Sequence, residues 1–232
     1  MPLHPANPET IAACAARLAE GALVAFPTET VYGLGGDATD ATAVAAIYAA
    51  KERPRFNPLI IHTATPEAAR KLGVFDDDAA RLAAHFWPGA LSLVVPRAPD
   101  CPVAELAVAG LPTLALRCPA HPVAAALLAA FGKPVAAPSA NPSGRISPTR
   151  ARHVAAHLPD IDILDGGDAN IGLESTIIGC LGDTPALLRS GGIARADIEA
   201  CLGKPLADHN ADTPNAPGQL ARHYAPLSLI HI

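Results

Sequence analysis

The sequence predicts an α/β protein in which helices flank a twisted sheet of parallel and antiparallel strands. Short apolar runs bounded by Gly, Pro and Asn are typical of buried strands, and they alternate with alanine-rich segments of helical periodicity. Strands alternate with helices early in the chain and cluster late, which indicates a mixed sheet. The 232 residues are 50% hydrophobic, enough apolar material for the core of one α/β domain.

Capping residues mark where the helices begin. A Ser, Thr, Asp or Asn side chain ahead of an apolar-periodic segment accepts hydrogen bonds from free backbone N–H groups, and Pro is favoured at the next position. The predicted helix starts are Asn7, Asp40, Thr65, Asp76, His121 and Thr149. The helix after Thr149 is expected to be basic, because it holds Arg150, Arg152, His153 and His157.

The predicted strands are short and apolar. They span residues 23–26, 59–61, 91–95, 113–117, 134–137, 161–164, 175–178 and 186–189. The glycine- and hydroxyl-rich segment 27–36 is interpreted as a connection between a strand and a helix, and segment 101–111 has no clear pattern. Residues 203–218 are rich in Pro, Asn and Asp without hydrophobic periodicity, which predicts a linker after a domain over residues 1–202.

Charge and cysteine content exclude several classes of protein. A net charge of −5 argues against a general nucleic-acid or membrane-surface binder, so any anion site must be a local basic patch. The five cysteines are scattered and form no C-x-x-C, which fits free thiols in a reducing compartment. The N-terminus lacks the features of a signal peptide, and the longest apolar run, 123–131, is too short to span a bilayer. We therefore expect a cytoplasmic protein.

Familiar catalytic motifs are absent from the sequence. The glycines at 33, 35 and 36 lack the G-x-G-x-x-G spacing of a dinucleotide site, and no P-loop sequence occurs. His153 and His157 have no third ligand nearby, so a solvated helix face is favoured over a zinc site. Ser139 is not in a G-x-S-x-G elbow, which leaves a hydrolase nucleophile unsupported.

Three cations lie on a stiff connector after the second predicted helix. Lys51, Arg53 and Arg55 precede Asn57 and an apolar strand, and Pro54 disfavours helical conformation at Arg53. A helix C-terminus favours cations, so the connector is consistent with simple charge complementarity on a solvated turn. It is equally consistent with a clamp for a polyanion.

Similar polar residues follow or precede most of the predicted strands. They are Thr28, Thr30, Lys51, Arg53, Asn57, Arg117, Ser139, Asn141, Ser143, Arg145, Ser175, Thr176 and Arg189. Loops at strand ends are where α/β folds bind ligands. Cations and hydroxyls without a nucleophile or base suit phosphoryl or nucleotidyl transfer, in which catalysis is positioning and charge stabilisation. Each loop alone could be an ordinary turn, but their recurrence favours a nucleotide site.

Three motifs closely resemble those of the YrdC family of threonylcarbamoyl-AMP synthases. They are Phe-Pro-Thr-Glu-Thr-Val-Tyr-Gly-Leu at 26–34, Lys-x-Arg with Asn-Pro-Leu at 51–59, and Pro-Ser-Ala-Asn with Ser-Gly at 138–144. The resemblance runs in order from about residue 10 to residue 200. Residues 217–226 look like the linker of a two-domain branch of the family, so we expect residues 203–232 to be the linker and start of an absent C-terminal domain.

The resemblance implies a single YrdC-like catalytic domain with a concave basic cleft, and a two-step reaction. L-Threonine takes up bicarbonate or CO₂, and the carbamate attacks the α-phosphorus of ATP to give L-threonylcarbamoyl-AMP and pyrophosphate. A separate transferase complex then modifies a tRNA adenosine. Two alternatives stay open: an RNA-binding module, for which Arg145, Arg150 and Arg152 would contact phosphates, and a carbamoyltransferase-like domain on the same fold.

Site residues are carried over by the same resemblance. The catalytic residues are Lys51, Arg53, Ser139 and Asn141. The ATP-binding residues are Arg53, Asn57, Thr113, Ser139, Ser147, Arg189 and Tyr224, the last of which lies in a linker expected to close as a lid. The threonine-binding residues are Thr30, His62, Arg117, Ala137 and Ser175, with Arg117 as the fork for the carboxylate.

Two points of the implied site stay open. His62 could instead be a core histidine whose hydrogen bonds are all internal. Mg²⁺ is expected with ATP, yet no carboxylate cluster is present to hold it, so we expect it on the phosphates and water rather than at a protein metal site.

Overall fold

The structure is a computed structural model that describes residues 3–208. The helices are α1 (Pro8–Ala19), α2 (Ala41–Ala50), α3 (Pro66–Arg70), α4 (Asp77–Phe86), α5 (Pro122–Phe131), α6 (Ala151–Ala155) and α7 (Arg195–Leu202). The strands are β1 (Leu3–Pro5), β2 (Val24–Phe26), β3 (Gly33–Asp37), β4 (Ile60–His62), β5 (Leu91–Pro96), β6 (Thr113–Arg117), β7 (Val135–Ala136), β8 (Asp162–Asp165), β9 (Thr176–Gly179), β10 (Ala186–Arg189) and β11 (Ala207–Asp208).

The strands form one mixed sheet, which confirms the predicted fold class. Their order is β1-β8-β2-β3-β7-β4-β6-β5-β9-β10-β11. Parallel pairing joins β1 to β8, β8 to β2, β4 to β6, β5 to β9, and β10 to β11, while the other neighbours are antiparallel. Helices α1 and α5 pack together over one part of the sheet, and α4 packs with α7.

Most of the predicted caps are present. The side chains of Asn7, Asp40, Thr65 and Asp76 each accept a hydrogen bond from a first-turn backbone N–H group. The prediction for Thr149 was wrong, because the N-cap of α6 is Arg150 and no side chain caps it. The backbone oxygen of Thr149 instead accepts a hydrogen bond from the N–H group of Ala169 at 2.9 Å.

All but the last residue of strand β3 lies in the glycine-rich segment 27–36, which the sequence suggested was a connection rather than a strand. A Cβ atom at Gly35 would lie 2.7 Å from the Phe26 ring, and one at Gly36 would lie 3.0 Å from the Leu23 side chain. Glycine is depleted in strands in general, so its frequency here misled the prediction. Glycine is required at position 35 because the Phe26 ring leaves no room for a side chain, while a side chain at position 36 would require Leu23 to shift.

The sheet also contains chain that the sequence pattern did not mark. Strand β1 pairs with β8, and β11 pairs with β10. Strand β11 and the buried Leu206 fall within the predicted linker, so the chain continues to pack on the domain beyond residue 203. The rest of the predicted linker, including Tyr224, lies outside the described residues. Within those described, no helix is both long and apolar enough to cross a membrane.

Apolar side chains bury both faces of the sheet. A large cluster joins α2, α4 and α7 to the sheet, and a second one fills the space beneath α1 and α5. A third, small cluster consists of Ile60, Val94, Ala115 and Ile177, with Leu188 packed against it. These five residues come from adjacent strands, so they form a strip of apolar floor across β4, β6, β5, β9 and β10.

Candidate active site

A cleft lies beside the apolar strip. The space that it encloses together with part of the open solvent is about 500 Å³. The sequence-predicted residues that line it are Thr30, Arg53, His62, Arg117, Ala137, Ser139, Ser175 and Arg189. The structure thus brings all five predicted threonine contacts together with part of the predicted ATP site.

Strand periodicity explains why a polar row adjoins the apolar strip. Residues two apart in a strand face the same side of the sheet. Ile60 and His62 therefore share a face, as do Ala115 and Arg117. In the β4–β6 register His62 lies directly opposite Arg117. Ile60 and Ala115 belong to the apolar strip, and the next residues on the same face of these strands, His62 and Arg117, line the cleft.

Arg117 is held by a buried ion pair. Its Nη2 donates to Oε1 of Glu29 at 2.6 Å and its Nε donates to the Gly89 carbonyl at 3.2 Å. The other carboxylate oxygen of Glu29 accepts from the backbone N–H of Ala120. Burial alone would raise the pKa of Glu29, but Arg117 and these hydrogen bonds outweigh it and lower that pKa. No described residue accepts from Nη1 of Arg117, so this nitrogen remains available to a ligand.

His62 is uncharged in the cleft wall. Burial, followed by the nearby charge of Arg117, lowers its pKa to about 3. Its Nδ1 lies 3.3 Å from the Ile60 carbonyl, and because a carbonyl only accepts, Nδ1 carries the proton. Nε2 is therefore a hydrogen-bond acceptor, and the Phe26 ring packs edge-on against the imidazole. A histidine that keeps one unpaired acceptor in a cleft is suited to receive a ligand N–H or O–H group.

A network of hydroxyls and charges surrounds Arg189. Its guanidinium bonds to the backbone oxygen and Oγ of Ser175 and forms an ion pair with Glu174. Ser147 Oγ donates to Glu174 at 2.8 Å. A Cβ atom at Gly191 would lie within 2.5 Å of the backbone near Ser175, so only glycine lets these two segments approach.

A β-bulge places Arg189 in this network. The β9–β10 register shifts between Leu187 and Arg189, so that Leu188 is an extra residue. A bulge locally bends a strand and redirects its side chains. Leu188 can consequently pack on the apolar strip while Arg189 reaches Ser175.

Lys51 and Arg53 take their positions from the end of α2. The N–H of Glu52 donates to Ala49 and that of Arg53 donates to Tyr48, the two bonds of a Schellman motif. Glu52 has φ of 50°, in the left-handed conformation that usually belongs to glycine in this motif. The chain therefore reverses at Glu52 and places Arg53 at the cleft.

Lys51 lies behind the cleft rather than in its lining. Its Nζ donates to the backbone oxygens of Ser139 and Asn141, and the side chain is 1% exposed. Burial, then the charge of Arg53, lowers the pKa of Lys51 to about 7. The Lys51 backbone oxygen accepts from Ser143, so two predicted catalytic loops are held together through this one residue.

Arg53 bonds to carbonyls rather than to a carboxylate. Its Nε and Nη2 donate to the backbone oxygens of Asn57 and Pro58. Burial lowers its pKa to about 10, and the nearby Arg189 also acts in that direction. Arg117 and Arg189 each have a glutamate partner. Among the described residues, Arg53 forms no ion pair with a carboxylate, although the nearby charge of Glu174 partly opposes the lowering of its pKa.

Two predicted site residues carry unsatisfied amide oxygens. Asn141 Nδ2 donates to the backbone oxygens of Pro142 and Arg145, which fixes the orientation of the amide. Its Oδ1, like that of Asn57, is buried without a hydrogen-bond partner in the described structure. Buried polar atoms normally form hydrogen bonds, so each of these two oxygens is an unused hydrogen-bond acceptor in or beside the loops that bear the cations.

The remaining predicted residues lie elsewhere. Ser147 borders a second cavity that shares Glu174 with the cleft. Thr113 begins β6, opposite Pro96, at the far end of the strand from Arg117. The structure does not bring Thr113 to the cleft, and its role as a nucleotide contact stays a prediction.

Sequence reasoning missed the acidic residues of the site. Glu29 and Glu174 both line or border the cleft, each paired with an arginine. Glu29 lies between the predicted residues Thr28 and Thr30, and Glu174 precedes Ser175. The signal in the sequence was thus that each glutamate is next to a predicted site residue. Within residues 3–208 no group of three His, Cys, Asp or Glu side chains could hold a metal ion.

Fold and site together define an α/β protein with a mixed sheet and a cleft lined by three arginines, several hydroxyls and an uncharged histidine. The chain belongs to the Sua5/YciO/YrdC family: residues 16–191 match the family described as Sua5_yciO_yrdC, telomere recombination. The E. coli YciO structure, 22% identical over 80% of this chain and 90% of its own with a TM-score of 0.72, shares the fold.

Two relatives are named threonylcarbamoyl-AMP synthase. That of Bacillus subtilis is 48% identical over 97% of this chain and 67% of its own length, and that of Pyrococcus abyssi is 47% identical over 89% and 63%. The chain therefore spans about two thirds of the length of these relatives. The crystal structure of P. abyssi Sua5 complexed with L-threonine has a TM-score of 0.92 and 44% identity, covering 97% of this chain and 69% of that one.

Proposed function

We propose that the protein synthesises L-threonylcarbamoyl-AMP from L-threonine, bicarbonate or CO₂, and ATP, with release of pyrophosphate. The observation that carries this proposal is the convergence of Arg53, Arg117 and Arg189 on one cleft beside an uncharged histidine. The names of the relatives and the threonine complex of P. abyssi Sua5 support the same activity.

Threonine binds at the end of the cleft formed by Arg117 and His62. The free Nη1 of Arg117 donates to the carboxylate, while Glu29 holds the guanidinium in place. Nε2 of His62 accepts from the amine or the hydroxyl group of the ligand. Valine would leave a buried polar group unpaired, and a site of this kind discriminates strongly against an analogue that lacks the hydroxyl.

ATP binds toward Arg53, Ser139 and Arg189. The carbamate oxygen attacks the α-phosphorus, a new P–O bond forms, and the bond to the pyrophosphate leaving group breaks. Arg53, which forms no ion pair with a carboxylate among the described residues, stabilises the charge that gathers on the phosphates. Lys51 lies behind the cleft lining and holds the backbone carbonyl groups of Ser139 and Asn141 in position.

Mg²⁺ enters this proposal only as part of the MgATP substrate.

Tyr224 and the linker are proposed to close over the nucleotide, and truncation after residue 208 is expected to lower turnover while the domain stays folded. The tRNA and a transferase complex are proposed partners downstream, in the cytoplasm.

Pyrophosphate release from ATP tests the proposal. Release should require both L-threonine and bicarbonate, and Arg117→Lys should reduce it by weakening threonine binding, because lysine cannot form the same fork. Consumption of ATP without threonine, or no consumption, contradicts the synthase assignment. Salt-sensitive tRNA binding without turnover would support an RNA-binding module, and turnover of carbamoyl phosphate would support a carbamoyltransferase-like domain.

A further inference from the structure

Two hydroxyl groups in the cleft wall, those of Thr30 and Ser175, each contact a second buried hydroxyl, which belongs to Thr28 in the same wall and to Ser92 outside the lining. Thr30 Oγ1 lies 2.8 Å from Oγ1 of Thr28, and Ser175 Oγ lies 2.8 Å from Oγ of Ser92. All four residues are at most 2% exposed. A hydroxyl has one proton, so the partner of each hydroxyl decides whether the cleft-facing group donates or accepts.

Thr30 is an acceptor toward the cleft. Thr28 Oγ1 lies 2.7 Å from the Val31 carbonyl oxygen, which has no proton of its own, so the Thr28 proton occupies that contact. Thr28 Oγ1 also accepts, at 3.2 and 3.3 Å, from the backbone N–H groups of Thr30 and Val31, and the shorter 2.8 Å contact between the two hydroxyls is assigned the proton of Thr30. Thr30 has therefore used its only proton, and only its lone pairs remain for a ligand.

Ser175 has the opposite polarity. Arg189 Nη2 donates to Ser175 Oγ at 3.0 Å, which occupies one lone pair. Ser92 has Ser175 as its hydrogen-bond partner in the described structure and is fully buried, so the Ser92 proton has no other acceptor there. Leaving it unbonded would be costly, and Ser92 therefore donates to the second lone pair of Ser175. The proton of Ser175 is left for an acceptor in the cleft.

We propose that Thr28 and Ser92 are positioning residues that set the hydrogen-bond polarity of the amino-acid pocket, with Thr30 as acceptor and Ser175 as donor. The inference rests on the proposed function, in which the ligand is a hydroxy amino acid. It pairs Thr30 with His62 as acceptors for amine or hydroxyl protons, and Ser175 with Arg117 as donors to carboxylate oxygens. The pocket selects a ligand that carries both kinds of group.

Calorimetric binding of L-threonine tests the role of Ser92. Ser92→Ala is expected to raise the Kd for threonine roughly 3- to 10-fold, the range that one oriented hydrogen bond contributes. Ser175→Ala should cost at least as much, and the double variant should bind no worse than Ser175→Ala alone, because Ser92 acts through Ser175. Thr63→Val is the matched control, since it removes a buried hydroxyl that bonds to Thr65 outside the cleft.

A second pair of variants tests Thr28. Thr28→Ala removes the acceptor for the Thr30 proton and should weaken threonine binding by a similar factor, while Thr28→Ser keeps the hydroxyl and should restore affinity to within about twofold. Thermal unfolding of every variant separates a structural effect from a polarity effect. A purely structural role would lower the Tm of Ser92→Ala and Thr63→Val alike without changing affinity.

The outcomes separate the inference from the proposed function. Unchanged threonine affinity in Ser92→Ala, or additive losses in the double variant, overturns the polarity assignment while the synthase assignment stands. A wild-type protein that does not bind threonine overturns both. Coupled losses with Thr28→Ser restored support the assignment.

Discussion

The buried pair of Glu29 and Arg117 yields the most demanding stability prediction. Arg117 is 4% exposed, and its Nη2 lies 2.6 Å from the carboxylate, so removing Glu29 leaves an uncompensated buried guanidinium. Breaking a buried pair from one side typically costs about 3–5 kcal/mol. We expect Glu29→Ala to lower the free energy of unfolding by about 3 kcal/mol, since Gly89 still accepts one Arg117 hydrogen bond.

Urea unfolding measures this loss, and a double-mutant cycle with Arg117→Met isolates the pair. The double variant should be more stable than the sum of the single losses predicts, because no unpaired charge remains. The pKa of Glu29 is lowered on folding, so its contribution is present above the ordinary carboxyl pKa of 4.5 and is lost as the pH falls through the folded-state value. A loss below about 1 kcal/mol at pH 7, or simple additivity, would refute the argument.

Three further predictions concern single residues. The pKa of Lys51 is lowered from 10.5 to about 7 on folding, so the free energy of unfolding should rise with pH between these two values. Urea unfolding of Lys51→Met should show no such rise. Glu52→Gly relieves a left-handed residue and should raise the free energy of unfolding by up to about 1 kcal/mol, with a higher Tm; an unchanged or lower Tm contradicts the assigned strain. The pKa of His62 falls from 6.5 to about 3 on folding, so its contribution to stability is complete above pH 6.5 and is lost as the pH falls from 6.5 toward 3. In His62→Gln the free energy of unfolding should therefore depend less on pH over this interval. The same pH dependence in the variant and the wild type would argue against a neutral buried histidine.

The sequence was sufficient for most of the local structure, since caps and turns depend on neighbouring residues. Asn7 and Asp76 cap helices as their side-chain chemistry predicts, and Pro54 follows the end of α2. The apolar runs that became β5 and β6 were predicted to within a residue. Strand β3 was missed because the glycine at position 35 is explained by the Phe26 side chain of the adjacent strand, a contact that no local pattern shows.

Motif spacing likewise indicated several of the loops that line the cleft, but not which atoms each side chain contacts. Lys51 and Arg53, which were predicted to form one clamp, make different contacts in the structure. Lys51 turns inward to bind the backbone of Ser139 and Asn141, while Arg53 lines the cleft. The direction of each depends on the left-handed turn at Glu52 and on a partner loop some 90 residues away, hence on tertiary contacts.

By itself, therefore, the sequence determined the mixed α/β class, most of the helix starts and several of the loops that line the cleft, because these follow from periodicity, capping and motif spacing. Only the tertiary structure decided the hydrogen-bond polarity of Thr30 and Ser175, the pairing of Arg117 with Glu29, and the bulge that delivers Arg189. Those features depend on atoms brought together from distant segments, and a proton or a charge is assigned only once its partner is known.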